Sequence, residues 1–241
     1  MRREHRPFIL KRMMAHCSQI WARHFLAPSF DSIGPGYKFF GPWSVNIFGE
    51  RITAGRNLHL LSAFHAPVAL CVWPGGSGEG EIRIGDHCLI CPGVRISSAS
   101  SIMIGDNCMF AQGVYLTDAD WHDIYDRTLP VGAAAPIRIG NNVWIGDGAF
   151  VAKGVSIGDN SIIGARAVVV DDVPANCVAA GNPAKVRKQL DPGHAIKVRA
   201  SLFHLSPEEF TRWEASMDKV FTARNSWYGW LRAKFFPTIR D

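Results

Sequence analysis

The sequence lacks the features that announce a membrane-spanning protein, a disulfide scaffold or a polyanion-binding surface. No apolar run approaches the ~18 residues that a bilayer-spanning helix requires. Excess charge of one sign is small, with 26 Lys and Arg against 21 Asp and Glu and a net charge of +5. That balance suits a small anionic ligand or an ordinary basic surface, and carries no nucleic-acid reading. Six cysteines among 241 residues make no disulfide framework. Cys88 and Cys91 form a C-x-x-C with no second pair, and Cys88 recurs as Cys108 in an equivalent position, so both read as small core residues. Reduced thiols and the absence of a contiguous apolar leader predict a cytoplasmic protein. A hydrophobic content of 47% indicates a soluble globular chain, long enough for one elongated domain with appendages.

What the chain has instead is a beat of six. Ile139, Ile145, Val151, Ile157, Ile163 and Val169 each open a hexad, usually followed by a small residue. Neither the 3.6 period of a helix nor the 2.0 period of a strand produces this spacing. It is the signature of a parallel β-helix, in which each short strand and its turn consume one hexad. The repeat extends backwards through Ile84, Ile90 and Ile96, then Ile104, Phe110 and Leu116. Ile52, Leu58, Phe64 and Leu70 mark a degenerate earlier rung, interrupted by a loop over 73–81. If three hexads make a turn, Cys88 stacks on Cys108 and Val143. Two steps depart from six: eight residues separate Ile96 from Ile104, and 23 separate Leu116 from Ile139.

The expected organisation has three parts. Residues 1–51 carry a basic amphipathic helix, with Leu10, Met13, Met14, Cys17, Trp21, His24 and Phe25 on one face, and an irregular lead-in. Residues 52–174 form the β-helix with a loop over 117–136, and residues 175–241 form a C-terminal extension with helices. Ser206-Pro207-Glu208-Glu209 reads as a helix start, with Ser206 as N-cap and Leu205 and Phe210 as a hydrophobic staple. Phe210, Trp213, Met217 and Phe221 line one helical face, and Trp227, Trp230, Leu231, Phe235 and Phe236 make a second stripe. Packing within the protein or between subunits is the ordinary use of such faces; a basic amphipathic helix can also lie on a membrane.

A solenoid gains no packing by ejecting a long loop from its most regular region, so the excursion before Ile139 is where function is expected. It carries Thr117-Asp-Ala-Asp-Trp-His-Asp-Ile-Tyr-Asp-Arg127. His122 is the candidate catalytic residue, because an imidazole can take a proton from a hydroxyl near neutral pH. Asp118, Asp120, Trp121 and Arg127 are candidates to hold an acceptor, and the carboxylates can equally be turn-formers.

The hexads, this loop, Asn141-Asn-Val-Trp-Ile-Gly-Asp147 and Val178-Ala-Ala-Gly-Asn-Pro-Ala-Lys185 together resemble the hexapeptide-repeat acyltransferases, on the side of the galactoside, maltose and xenobiotic O-acetyltransferases. The resemblance covers about residues 80–190. It implies a left-handed parallel β-helix, a homotrimer with sites between neighbouring subunits, and acetyl-CoA as acyl donor with no metal. It further implies His122 as general base, the Asp147 N–H as oxyanion donor and Trp144 beside the pantetheine arm. Ala165 would give backbone contacts, and Lys185 and Lys188 would meet the nucleotide phosphates. Val170-Asp171 departs from the Thr-Lys pair of the sugar O-acetyltransferases, and Cys91 and Ala99 stand where their acceptor-binding amide and carboxylate lie. Two other readings use the same coil. A zinc carbonic anhydrase needs three converging His, whereas only His87 and His122 lie between residues 66 and 193. A non-catalytic scaffold would have no use for the His122 loop.

Overall fold

The computed structural model describes residues 4–73, 80–203 and 207–238. It divides into two compact units, residues 21–201 and residues 1–20 with 202–241.

The larger unit is a three-sided parallel β-helix, left-handed and thus an exception to the right-handed rule for parallel crossovers. One sheet stacks strands at 32–33, 52–54, 82–84, 102–104, 137–139 and 156–157. A second begins at 38–40, 59–61, 89–90 and 109–110, then continues through 144–145, 162–163 and 177–180. The third stacks 45–48, 68–72, 95–98, 115–117, 150–151 and 168–169. The hexad aliphatics point inward: Ile84, Ile104 and Ile139 pair in register down one side, and Ile90, Phe110, Ile145 and Ile163 down another. Each is at most 5% exposed, which stabilises the coil by about 1.5–3 kcal/mol per side chain. Cys88, Cys108 and Val143 fall in one column as the three-hexad turn predicts, and both cysteines are fully buried.

The coil is longer than expected at both ends. Residues 29–51 were to be an irregular lead-in, yet Ser32–Ile33, Lys38–Phe40 and Val45–Phe48 pair in parallel with the following rung. The beat is hidden there because Pro42 stands at the corner after the buried Phe39, and eight residues, in place of six, separate Phe39 from Ile47, the partner of Leu70. Nor does the coil end at 174. Cys177–Ala180 adds to the second sheet beside Ile162–Ile163, and Lys185–Gln189 folds back on it antiparallel. The loop over 73–81 falls mostly outside the described residues.

One corner of the coil is built from residues with positive φ: Asn57, His87, Asn107, Asn142, Asn160 and Asn176. Asparagine tolerates the left-handed region better than other side chains that carry a Cβ. The amides also stack, with Asn142 Nδ2 donating to Asn160 Oδ1 at 2.9 Å and Asn160 Nδ2 to Asn176 Oδ1 at 2.8 Å.

In the smaller unit, helix α1 spans Phe8–Trp21, α2 Pro207–Phe221 and α3 Trp227–Phe235. Asn225 Nδ2 donates to the carbonyls of Glu4 and Arg6, and Lys11 Nζ meets Asp218 Oδ1 at 2.6 Å. The apolar face expected of α1 points outward: Met13, Met14 and Cys17 are exposed, and the buried helix residue is Ser18, whose hydroxyl is tied to the Met14 carbonyl. Trp213, Phe221, Trp227 and Phe235 are likewise exposed. The Ser206 cap and Leu205 lie outside the described residues, as does the Phe210 side chain. Ser226 caps α3, its hydroxyl accepting from Gly229 N. Among the described residues no helix is long and apolar enough to cross a membrane.

Candidate active site

The loop that leaves the coil after Thr117 is tied down at its base. Asp118 was expected to face an acceptor; it is fully buried instead. Its Oδ1 accepts from Ala99 N at 2.7 Å, and its Oδ2 accepts from Ser98 Oγ at 2.7 Å and Ser100 N at 3.0 Å. A fully buried carboxylate with three inward donors is an anchor, out of reach of a substrate on the surface. Those donors come from the corner where the hexad spacing slipped from six to eight, so the irregular corner is the socket for the loop.

Above the anchor the two arms of the loop pair. Ala119 and Ala134 form an antiparallel bridge, Asp120 N donates to Ala133 O, and Gly132 N donates to Asp120 O. Gly132 is required by contact: a Cβ there would stand 2.6 Å from the His122 carbonyl oxygen. Lys153, on the rung that follows the loop, reaches Asp120 Oδ1 at 2.6 Å. Trp121 is fastened to the coil, its Nε1 donating to Thr117 Oγ1 at 3.1 Å and Tyr115 Oη at 3.3 Å. At the tip Asp123 accepts from Tyr125 N and Asp126 N, each at 2.8 Å. The Asp126 and Tyr125 N–H groups hold its carboxyl below the ordinary carboxylate range. His122 emerges between anchor and tip, exposed, with no hydrogen bond to its ring among the described residues. Arg127 is also exposed.

The other predicted residues sit on the coil itself. Trp144 points outward from the second sheet and is 47% exposed. Asp147 and Ala165 stack at one corner on successive rungs, where Arg166 N donates to Asp147 O at 2.7 Å. The corner before it in each turn, between the first and second sheets, is bonded differently. There the N–H after Gly is capped by a side chain of the next rung on three successive turns. Asp106 caps Asp86, Asn141 caps Asp106 and Asp159 caps Asn141, all at 2.6–2.8 Å. Below Asp147 that place belongs to Ala165, which has no acceptor to offer. Among the described residues the N–H groups of Asp147 and Ala165 are without a partner. With the Gln112 N–H one turn earlier, likewise without a partner among the described residues, they make a column of donors where a developing negative charge can be met.

Lys185 and Lys188 lie on the antiparallel strand 185–189, fully on the surface. Lys185 Nζ is 2.9 Å from Asp171 Oδ2, so the aspartate that breaks the expected Thr-Lys pattern neutralises one of the two predicted phosphate contacts.

The structure therefore gathers Asp120, Trp121, His122 and Arg127 on one braced loop, and Asp147 with Ala165 on one corner. Among the described residues no hydrogen bond, ion pair or ring contact joins the two groups. None of these residues lines the groove of about 510 Å³ that opens on the first sheet beside Arg138, Ser156 and Asp172. No cluster of metal-ligating side chains occurs among the described residues. Sequence reasoning missed Ser98, Lys153, Tyr115 and Gly132. Only the slipped hexad at 96–104 signalled any of them.

Comparison with known proteins agrees with this geometry. Residues 136–171 match the bacterial transferase hexapeptide (six repeats) family, and residues 81–118 match the hexapeptide repeat of succinyl-transferase. The galactoside O-acetyltransferase of Escherichia coli K12 is 42% identical over 139 residues, 57% of this chain and 56% of that enzyme. The chain thus matches little more than half the length of that relative. A solved galactoside acetyltransferase bound to coenzyme A is 25% identical over 83% of this chain and 87% of its own, at a TM-score of 0.48. A single-site mutant of AntD, an N-acyltransferase from Bacillus cereus, superposes at a TM-score of 0.55 with 14% identity, covering 84% of this chain and 95% of its own. This last likeness is one of fold. With its hexads in register on three parallel sheets and the two repeat models matched over residues 81–118 and 136–171, this chain is similar along its coil to the hexapeptide-repeat transferases.

Proposed function

We propose that the chain is an acyltransferase that moves an acetyl group from acetyl-CoA to a hydroxyl of a saccharide or similar acceptor. The observation that carries this reading is the exposed His122 imidazole on a braced loop, together with the stacked N–H groups of Asp147 and Ala165, which have no partner among the described residues. The His122 imidazole takes the proton of the acceptor hydroxyl while that oxygen attacks the thioester carbonyl carbon. Negative charge moves to the carbonyl oxygen, where the Asp147 N–H receives it. As the intermediate collapses, the new C–O bond remains, the C–S bond breaks, and the imidazolium returns its proton to the departing sulfur. Trp144 flanks the pantetheine arm, Ala165 N–H meets its amides, and Lys188 with Lys185 faces the phosphates. Asp120, Trp121 and Arg127 are the acceptor-side groups, whereas Asp118 serves the loop.

A homotrimer fits this assignment, because the braced loop and the open corner are not connected within one chain and a neighbouring copy can bring them together. Reduced thiols suit a cytoplasmic setting. The exposed Ile9, Met13 and Ile20 of α1 suit peripheral contact with a membrane face.

Thiol release from acetyl-CoA across a panel of hydroxyl acceptors tests the reading. His122→Ala is expected to lower turnover by about 10²–10⁴-fold with CoA binding retained. An undiminished rate removes His122 as the base, and a stable monomer in native mass measurement removes the inter-subunit site.

A further inference from the structure

The third sheet carries an aromatic row that the proposed chemistry does not use. Phe48 and Trp73 project outward from the first two rungs, 49% and 43% exposed. Their ring centroids are 4.7 Å apart with planes at 42°. Trp73 is in turn 6.3 Å from Trp121 at 68°. Both distances lie in the range of ring–ring contact, so the three rings form one strip that ends on the residue before His122. The strip is rigid at that end, because the Trp121 indole is held by Thr117 and Tyr115. Tyr115 is itself covered by Arg95, whose guanidinium carbon is 4.0 Å from its ring centroid, and it meets Phe150 at 5.6 Å.

We infer that the strip of Phe48, Trp73 and Trp121 is an extended acceptor platform, and that the acceptor is an oligosaccharide of more than one ring. The inference rests on the acetyl-transfer reading of His122. Three features select a glycan. A pyranose presents a C–H face that stacks on an aromatic ring and a rim of hydroxyls. The strip has tilted ring faces open to solvent, and along its seam with the loop it has polar groups: the Arg95 guanidinium, the Tyr115 hydroxyl and the Asp120–Lys153 pair. Continuity with His122 means that a sugar seated on Trp121 brings a hydroxyl to the base, while rings further out lie on Trp73 and Phe48. A lipid tail would have no use for the polar seam.

The test compares linear oligosaccharides of one to four rings, built from glucose, galactose and N-acetylglucosamine, as acetyl acceptors and as ligands. In at least one series kcat/KM is expected to rise with ring number. Trp73→Ala should lower the ratio of tetramer to monomer kcat/KM by about three- to tenfold, and Trp73→Phe should restore part of it. Glycan-dependent quenching of tryptophan fluorescence, without acetyl-CoA, should weaken in Phe48→Ala. Length-independent kinetics in every series would overturn the platform while leaving acetyl transfer standing. Glycan binding that lengthens with the chain but yields no thiol would uphold the platform and sink the acetyl-transfer reading. Binding to phosphatidylcholine–phosphatidylglycerol vesicles lost in Trp73→Ala, or a smaller assembly in that variant, would assign the strip to a lipid surface or a second copy and overturn the inference.

Discussion

Lys153 on the coil and Asp120 on the loop form a 2.6 Å ion pair two residues from His122, with about a third of each side chain exposed. A pair so placed adds little to stability, about 1 kcal/mol or less. Its value is positional, because small displacements of a reacting group are costly to rate. Lys153→Met is therefore expected to leave the denaturation midpoint nearly unchanged and to lower turnover by about tenfold. A cycle with Asp120→Asn should show the two effects to be non-additive; additive losses would mean that the pair does not position the loop.

Ala165→Asp introduces at the Asp147 corner the kind of side-chain cap that Asp106 gives to Asp86 at the corner between the first and second sheets. The variant is expected to be as stable as the native chain or about 1 kcal/mol more so. Turnover should nevertheless fall by about 10²–10³-fold, since the N–H left for the oxyanion becomes occupied. Full activity in this variant would remove Asp147 from the mechanism.

Removal of the Asp118 carboxylate leaves Ser98 Oγ, Ala99 N and Ser100 N without their acceptor. For Asp118→Ala we expect a loss of about 3 kcal/mol or more, read from urea denaturation. Asp118→Asn should cost less, since it keeps one acceptor oxygen. Proteolysis confined to residues 119–135 should accelerate in both variants.

His59 gives the coil a pH dependence with a defined sign. Burial, aided by the nearby Arg199 guanidinium, lowers its pKa to about 4. In the unfolded chain the ring titrates near 6.5. Between these values the unfolded state binds the proton and the folded state does not, so stability is lost as pH falls from about 6.5 towards 4. The loss is bounded at about 3 kcal/mol. His59→Gln should flatten the midpoint-against-pH curve over that window; an unchanged slope would place the acid sensitivity elsewhere.

How much of this was legible follows from what each part repeats. The inward aliphatics repeat every six residues, so the coil, its turn length and the Cys88–Cys108–Val143 column could be read directly. The first rung could not, because the corner at Pro42 stretches its step from Phe39 to Ile47 beyond six residues. His122 was visible through the interruption around it. Asp118 was misread because its sequence neighbours say nothing of Ser98 and Ala99, one rung away and twenty residues earlier. Lys153 and Trp73 were missed for the same reason: each meets the loop through the stacking of rungs, and a linear spacing does not record what stands above what. The uncapped N–H of Asp147 was reached only through family likeness, because the hexad spacing does not tell which corner of the coil a Gly-Asp pair occupies.

The asparagine corner also makes the coil a repeating unit in length. Asn142 and Asn160 are joined amide to amide across a separation of 18 residues, and Asn160 passes the same bond to Asn176. Along these three turns each amide donates to the amide of the next, so a whole turn can be spliced in or out between them without new bonding chemistry. The reach between the loop and the basic strand 185–189 is then a quantity counted in turns, which natural variation can adjust stepwise while each corner keeps its bonds.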